Sequence, residues 1–185
     1  MSTPTLTDGQ LQLVPMTENH ISDEYLSWLN NKSHMHYSRQ RHFQHSRETS
    51  LAYRKTFLNS ANHFWAMEEA LDEPVLVGTM TAYVDNLAGV ADVGILVSPT
   101  AKGRGYGKRA WGLVLAYLFE DLKLRKVTAG TVKGNSSMER IALGWNMQLE
   151  GVFRQQELID GIPHDILRYG LLAQEWHRNS QASKN

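Results

Sequence analysis

The segment from Lys102 to Lys108 combines closely spaced glycines with basic side chains. Glycine lets a backbone turn tightly and lets a ligand come within contact distance of the main chain. The apolar periodicity after the segment predicts a helix, whose first turn would offer free N–H groups to phosphate. A phosphate-binding loop is one interpretation, and a glycine-rich turn with solvated lysines is the other. The residues of this glycine loop are Lys102, Gly103, Arg104, Gly105, Tyr106, Gly107 and Lys108.

Two common phosphate motifs do not describe this loop. A Walker A loop needs Gly-x-x-x-x-Gly-Lys followed by Ser or Thr, and the chain contains no such run. The spacing Gly-x-Gly-x-Gly departs from the Gly-x-Gly-x-x-Gly of dinucleotide-binding folds. The loop also follows strands that we predict to be antiparallel, so it does not open a βαβ unit.

Asp92 is a carboxylate within the mostly apolar segment 89–98, which we predict to be a strand. Side chains alternate between the two faces of a strand, so Asp92 shares a face with Gly94 and Leu96. A carboxylate in such a strand is either a functional base or a partner in a buried salt bridge. Both interpretations stay open from the residues alone.

Residues 31–46 lack a clear period and are rich in histidine and arginine, which predicts an ordered loop. One interpretation is a zinc site, but the chain offers no thiolate to help. A second is a solvated or locally hydrogen-bonded loop. A third is a binding surface for a phosphorylated or carboxylate-bearing molecule, which arginine and histidine would suit. The candidate residues for substrate binding are Tyr37, Arg39, Arg41 and His42, and we expect no bound metal. The residues alone leave the solvated loop and the binding surface open.

The elements that position these residues follow from the hydrophobic pattern. The predicted order is one strand, two helices, three strands, a helix, a strand, a helix and two strands. This order predicts an α/β fold of the α+β type, with a mixed, mostly antiparallel sheet of about seven strands flanked by about four helices. We expect one domain over residues 11–176, a partly ordered N-terminus over 1–10 and a polar C-terminal tail over 177–185.

Composition narrows the class of protein. The chain has 185 residues, of which 42% are hydrophobic, enough for the core of one domain. Lys plus Arg and Asp plus Glu both number 19, which argues against binding nucleic acid through bulk charge. No apolar run approaches the roughly 20 residues of a membrane span, and there is no cysteine. We therefore expect a cytoplasmic protein without disulfides or a membrane partner.

The glycine loop resembles the Gln/Arg-x-x-Gly-x-Gly/Ala pyrophosphate loop of the GNAT N-acetyltransferases, with Lys102 in the Gln/Arg slot. The resemblance extends over about residues 10–176. Segments 91–99 and 110–132 resemble the strand before the loop and the helix and strand after it, and residues 160–176 are similar to the closing strands of the RimJ/RimL-like branch. Two positions depart from the pattern. Ala142 stands where many members carry a tyrosine acid, and Asn146-Met147 stands where Gly-Phe is common.

The resemblance implies acetyl-CoA as acyl donor, bound without metal. Backbone N–H groups of about residues 103–108 would hold its pyrophosphate, and the backbone of Leu96 and Val97 would pair with the pantetheine arm. Asn135 matches the family asparagine that contacts this arm. Arg140 would reach the nucleotide phosphate or simply be an exposed helix arginine. Asp92, beside the expected thioester, is our candidate base.

The resemblance leaves the acceptor open. One branch acetylates amino groups on nucleotide-linked sugars for surface glycans, and segments of this chain are similar to it. A protein N-terminus and a small amine such as a polyamine are alternatives. A module that binds acetyl-CoA without turnover is a fourth, supported by the missing tyrosine. Members of the family often pair through their C-terminal strands, so a homodimer is a further expectation.

Overall fold

The computed structural model describes residues 2–182, with side chains as far as Arg178. These residues form one eight-stranded sheet and the helices that cover it. The order of strands across the sheet is β1-β2-β3-β4-β5-β6-β8-β7. Only β5 and β6 are parallel, and every other neighbouring pair is antiparallel. The strands are β1 (Leu6–Thr7), β2 (Leu11–Pro15), β3 (His63–Glu69), β4 (Val75–Asp85), β5 (Val90–Val97), β6 (Lys126–Val132), β7 (Gln148–Ile159) and β8 (Ile162–Leu172).

Five α-helices cover the sheet within the described residues. Short 3-10 turns occupy Arg39–His42 and Pro99–Ala101, and a π-helical turn over Tyr117–Asp121 extends the third helix. The helices are α1 (Asp23–Asn30), α2 (Arg47–Lys55), α3 (Tyr106–Ala116), α4 (Ser136–Gly144) and α5 (Ala173–Ala182).

The two faces of the sheet carry separate hydrophobic layers. One layer joins α3, α4 and α5 to the sheet around the fully buried rings of Trp65, Trp111 and Phe119. The other joins α1 and α2 to the opposite face around Trp28 and Phe64. The α1–α2 layer is the smaller of the two, and it leaves part of its sheet face uncovered.

The predicted fold class is confirmed, and the differences lie at the chain ends. The extra strand is β1, which pairs with β2 and was expected to be part of a partly ordered N-terminus. The extra helix is α5, so residues 177–182 continue a helix where we expected a polar tail. Trp176 is buried in the α3–α5 layer, and this packing holds α5 against the sheet. Met1 and residues 183–185 lie outside the described residues.

Helix starts illustrate what local sequence determines. Ser46 caps α2 in a reciprocal capping box with Thr49. Thr17 is of a residue type that often caps helices, but it does not cap α1. The N–H of Thr17 bonds to Nδ1 of His20 instead, and Ser22 caps α1 by accepting from the N–H of Tyr25.

Candidate active site

The glycine loop lies between the end of β5 and the start of α3. Gly103 and Gly105 have φ of 82° and 86°, a region that other L-residues adopt at a cost. A Cβ at either position would have no atom within 4 Å, so open space borders the backbone here. Gly107 serves packing, because a Cβ there would approach Cδ1 of Ile141 to 3.0 Å.

The first turn of α3 is open to a ligand. Gly105 is the N-cap residue and supplies no side-chain cap, so the N–H groups that begin the helix keep their hydrogen-bonding capacity. Lys102 and Lys108 are exposed beside them. The free N–H groups, the two lysines and the open space beside Gly103 and Gly105 together fit a pyrophosphate.

Two predicted residues of the glycine loop are engaged elsewhere. Arg104 forms an ion pair with Glu69 at 2.7 Å, and its guanidinium lies 5.0 Å from the ring centroid of Tyr106. The Tyr106 hydroxyl also donates to the Glu69 carboxylate, and this bond raises the pKa of Tyr106. These contacts fasten the loop to β3.

The strands β5 and β6 separate beside the loop. Their pairing ends at Asp92 and Thr128, although β5 continues to Val97 alongside β4 and β6 continues to Val132 alongside β8. Among the described residues, no strand pairs with the β6-facing edge of β5 beyond Asp92. The backbone at Leu96 and Val97 therefore borders a gap that an extended amide-containing chain can enter. The gap and the adjoining loop fit the two parts of coenzyme A.

Asn135 and Arg140 lie on the far side of this gap. The Asn135 side chain accepts from the Met138 N–H as the cap of α4 and donates to Oγ1 of Thr131 at 3.0 Å. Its amide is thus held in place at the turn after β6. Arg140 is exposed on α4.

A cleft of about 750 Å³ opens on the α1–α2 face of the sheet. Its floor consists of residues that are paired in register across β4 and β5, and those of β4 present hydroxyl groups. Because Gly94 has no side chain, the middle of the floor stays open. The pairs are Tyr83 with Asp92, Thr81 with Gly94, and Thr79 with Leu96.

Aromatic residues of α1, α2 and β3 wall the cleft, with Tyr25, Tyr53 and Phe64 among them. The hydroxyls of Tyr53 and Tyr83 are 2.5 Å apart. Burial, and then the Tyr83 hydrogen bond, raise the pKa of Tyr53. Burial raises the pKa of Tyr25 to about 12, against a hydrogen bond with Thr79 that lowers it. Both tyrosines are therefore neutral at physiological pH.

Asp92 lies at the edge of the cleft floor in an ion pair with Arg168 of β8. Oδ2 of Asp92 also accepts from Oγ1 of Thr128 at 2.7 Å. Both bonds end on Oδ2, and Oδ1 has no bond to another of the described residues. The sequence left a base and an ion-pair partner as alternatives. The ion pair is present, although both side chains are partly exposed rather than buried. A role of Oδ1 as the base stays a prediction.

The basic side chains of the α1–α2 loop meet one carboxylate. Arg41 is buried, and its guanidinium lies 3.2 Å from Glu157 of β7, to which Arg39 and His42 also lie close, at 3.4 and 3.5 Å. Burial opposes ionisation of Glu157, yet hydrogen bonds from Leu158 and His42 and the two arginines hold its pKa below the usual value. Of these cations, only Arg39 lines the cleft.

Tyr37, the remaining residue predicted to bind substrate, lies away from the cleft. Its hydroxyl would be 3.9 Å from a Cβ at Gly134, in the turn that follows β6. It borders the gap between β5 and β6 rather than the acceptor side.

Sequence reasoning missed several residues of the site. Tyr53, Tyr83, Thr79, Thr81 and Arg168 were not predicted. The alternation of Thr79, Thr81 and Tyr83 in β4 is a local signal that could have revealed the polar floor. No local signal pairs Arg168 with Asp92, which is 76 residues away in the chain.

Over residues 2–182, no helix has the length and apolar character that a membrane span requires. The same part of the chain contains no group of three or more His, Asp or Glu side chains placed to hold a metal ion.

Comparisons with known proteins add to this geometry. A family model described as "Acetyltransferase (GNAT) domain" matches residues 10–148. Among curated proteins, "Putative ribosomal N-acetyltransferase YdaF" of Bacillus subtilis is 27% identical over 93 residues, which are 50% of this chain and 51% of the relative. The match thus spans about half the length of that relative.

Solved structures share the fold over nearly the whole chain. A spermidine N-acetyltransferase from Vibrio cholerae, in complex with CoA and spermine, has a TM-score of 0.82 at 20% identity and covers 92% of this chain and 99% of its own. The ribosomal L7/L12 α-N-protein acetyltransferase RimL, in complex with coenzyme A, has a TM-score of 0.82 at 14% identity, with coverages of 93% and 99%. At these identities the likeness concerns the fold alone.

Proposed function

Because the chain belongs to the GNAT acetyltransferase family, we propose that it transfers the acetyl group of acetyl-CoA directly to a primary amine. The observation that carries the proposal is the uncapped first turn of α3 beside the gap between β5 and β6. The first feature suits a pyrophosphate and the second suits an extended pantetheine arm. Because the helix turn and the gap are adjacent, they suit one molecule that contains both a pyrophosphate and an extended arm.

The donor would be held mainly by backbone groups. The N–H groups of residues 105–108 would bind the pyrophosphate, with Lys102 and Lys108 supplying positive charge. The backbone of Leu96 and Val97 would pair with amides of the arm, and Asn135 would meet the arm from the α4 side. Acetyl-CoA supplies a thioester, whose carbonyl carbon is activated toward attack by nitrogen.

The acceptor ammonium must lose two protons on the way to the amide. The acceptor nitrogen attacks the thioester carbonyl, the new C–N bond forms, the C–S bond breaks, and CoA leaves as the thiolate. An alkyl ammonium has a pKa near 10.4, so it first releases one proton to the solvent and becomes a nucleophilic amine. A base then removes the second proton from the nitrogen during attack. Oδ1 of Asp92 is the oxygen that we assign to this task, directly or through a water. Arg168 and Thr128 fix the carboxylate by holding Oδ2.

The lining of the cleft favours an acceptor that is hydroxylated and carries few positive charges. Hydroxyls of Thr79, Thr81 and Tyr83 form the floor, and Gln40 and Gln44 add neutral polar groups. A sugar ring with an amino group suits these hydrogen-bonding partners and the aromatic walls. Arg39, 80% exposed at its side chain, could meet a phosphate of a nucleotide-linked sugar. We therefore propose a nucleotide-linked amino sugar as acceptor.

A polyamine fits the same cleft poorly. Its several ammonium groups would need several carboxylates, and Asp92 is the one carboxylate among the described residues that line the cleft. Arg168 already neutralises the charge of that carboxylate through Oδ2, and Arg39 adds positive charge at the cleft. A protein N-terminus is the second candidate, and the sequence similarity to YdaF favours it.

The test measures release of CoA thiol from acetyl-CoA in the presence of a nucleotide-linked amino sugar, an N-terminal peptide or spermidine. The chain has no cysteine, so a thiol reagent sees no background from the enzyme. We expect turnover with the amino sugar and none with spermidine. Turnover with the peptide alone would favour the second candidate. Binding of CoA without turnover on any amine would contradict the proposed transfer.

A further inference from the structure

The loop between α1 and α2 crosses the gap between β5 and β6. On the β5 side, the His34 imidazole forms a hydrogen bond with the backbone of Val97, and the charge of Lys102 in the glycine loop acts on it. On the β6 side, the Tyr37 hydroxyl lies near Gly134. One short segment therefore reaches both edges of the gap that we assign to the pantetheine arm.

Hydrogen bonds hold this segment in place. Oδ1 of Asn31 accepts from the His34 N–H at 3.0 Å, and the Asn31 carbonyl accepts from the Met35 N–H at 2.9 Å. The Met35 side chain is buried in the α1–α2 layer. Beyond it, the pairing of Arg41 with Glu157 attaches the loop to β7. The position of His34 is thus set by contacts on both sides of it.

His34 carries an unused polar atom at this place. Its Nε2 is buried and has no hydrogen-bond partner among the described residues. Burial of a polar atom without a partner costs free energy, and such atoms are uncommon in native proteins. Burial first, and then the charge of Lys102, lower the pKa of His34, against a hydrogen bond with the Val97 backbone that raises it. The imidazole is therefore neutral at physiological pH and can exchange one hydrogen bond through Nε2.

We propose that His34 is a binding residue for the donor and that its Nε2 forms a hydrogen bond with an amide of the pantetheine arm. The inference rests on the proposed use of acetyl-CoA. The arm has to run from the pyrophosphate at the start of α3 to the thioester beside β5. His34 is hydrogen-bonded to the backbone of Val97, which borders the thioester end of that path, and the charge of Lys102 at the other end acts on it. A neutral imidazole suits an amide, whereas an anionic phosphate would favour a charged side chain.

The same loop also borders the acceptor cleft. Met35, Ser38 and Arg39 line the cleft, and His34 faces the donor side. A donor held by His34 would fix the segment that forms one wall of the acceptor cleft. The inference thus predicts that the donor improves binding of the acceptor.

The test compares two probes by calorimetry. Coenzyme A contains the pantetheine arm, and 3′-phospho-ADP is the same molecule without it. For His34→Ala we expect the Kd for coenzyme A to rise about tenfold, the loss of one buried hydrogen bond, and the Kd for 3′-phospho-ADP to stay unchanged. His34→Gln restores a polar partner and should regain most of the affinity. His36→Ala, in the same loop, is the matched control and should bind both probes as the wild type does.

Each other outcome overturns the inference in a recognisable way. Wild-type affinity of His34→Ala for coenzyme A would show that Nε2 does not meet the donor. An equal loss for both probes would place His34 in phosphate binding or in the fold, and a melting curve of each variant separates these two. Failure of the wild-type protein to bind coenzyme A would overturn the proposed function as well, and is thereby distinguished from failure of the inference alone.

Discussion

Arg168 on β8 donates a hydrogen bond to Oδ2 of Asp92 on β5, across the intervening strand β6. The bond orients the carboxylate with its other oxygen available to the cleft. It also means that Asp92 is tied to the half of the sheet beyond the gap. The ion pair and the predicted base are therefore compatible, because they use different oxygens of one carboxylate.

Substitution of Asp92 should separate chemistry from donor binding. In Asp92→Asn the carboxamide cannot accept the proton of the amine, so we expect kcat to fall at least about 100-fold. The Kd for acetyl-CoA should stay unchanged, because the donor is held at the glycine loop and β5. Steady-state kinetics and calorimetry check the two quantities. Asp72→Asn, at an exposed turn residue, is the control, and wild-type kcat in Asp92→Asn would remove Asp92 as base.

Gly105 of the glycine loop can be compared with Gly161, a glycine outside the loop that has a similar positive φ. Gly105 and Gly161 have φ of 86° and 80°, and a Cβ at either would have no atom within 4 Å. Alanine at each should cost about 1–2 kcal/mol of folding stability. Only Gly105→Ala should also raise the Kd for coenzyme A, by tenfold or more, since its Cβ crowds the backbone that receives the pyrophosphate. Equal affinities of the two variants would contradict the assignment of the loop.

Loss of the carboxylate at Glu157 should loosen the α1–α2 loop. Glu157→Gln leaves the buried guanidinium of Arg41 without its countercharge, and we expect a loss of about 3 kcal/mol in the free energy of unfolding. Glu150→Gln, which breaks the more exposed ion pair with Lys126, should cost less than about 1 kcal/mol. Urea unfolding measures both. Similar losses for the two variants would mean that the Glu157 cluster does not anchor the loop.

Acid should destabilise the protein through His63, which is 1% exposed between Trp65 and Tyr117. Burial lowers its pKa from 6.5 to about 4. As pH falls below 6.5, the unfolded chain binds a proton that the folded chain does not, so stability is lost between pH 6.5 and 4. The whole shift corresponds to about 3 kcal/mol.

The comparison of wild type with His63→Phe isolates this effect. Unfolding free energies at pH 7 and at about pH 4.5 should differ less in the variant than in the wild type, since phenylalanine keeps the ring packing without titrating. Parallel pH profiles for the two proteins would show that His63 does not contribute. Other acid-sensitive groups act equally on both proteins and cancel in the comparison.

The sequence predicted the features that depend on neighbouring residues. The strands β3 to β6, the capping of α2 by Ser46 and the glycine loop before α3 all follow from periodicity, caps and glycine placement over short segments. The face shared by Asp92, Gly94 and Leu96 follows from strand alternation, and all three line the cleft.

The features that the sequence did not predict depend on contacts between residues that are far apart in the chain. Arg41 and Glu157 are 116 residues apart in the chain, and nothing in either segment indicates that they meet. From the sequence, the basic side chains of the α1–α2 loop therefore looked like free cations. In the structure, three of them lie close to the buried carboxylate of Glu157. The position of His34 likewise depends on how the loop lies across two strands whose separation no local pattern reveals.

The separate hydrophobic layers on the two faces of the sheet have an evolutionary consequence. Substitutions in α1, α2 and their loop reshape the acceptor cleft, while the layer under α3 keeps the glycine loop in place. Selection can thus alter which amine is accepted without rebuilding the donor site. His34 would be the exception, since a change there would alter both sides at once and so constrain how this loop diverges.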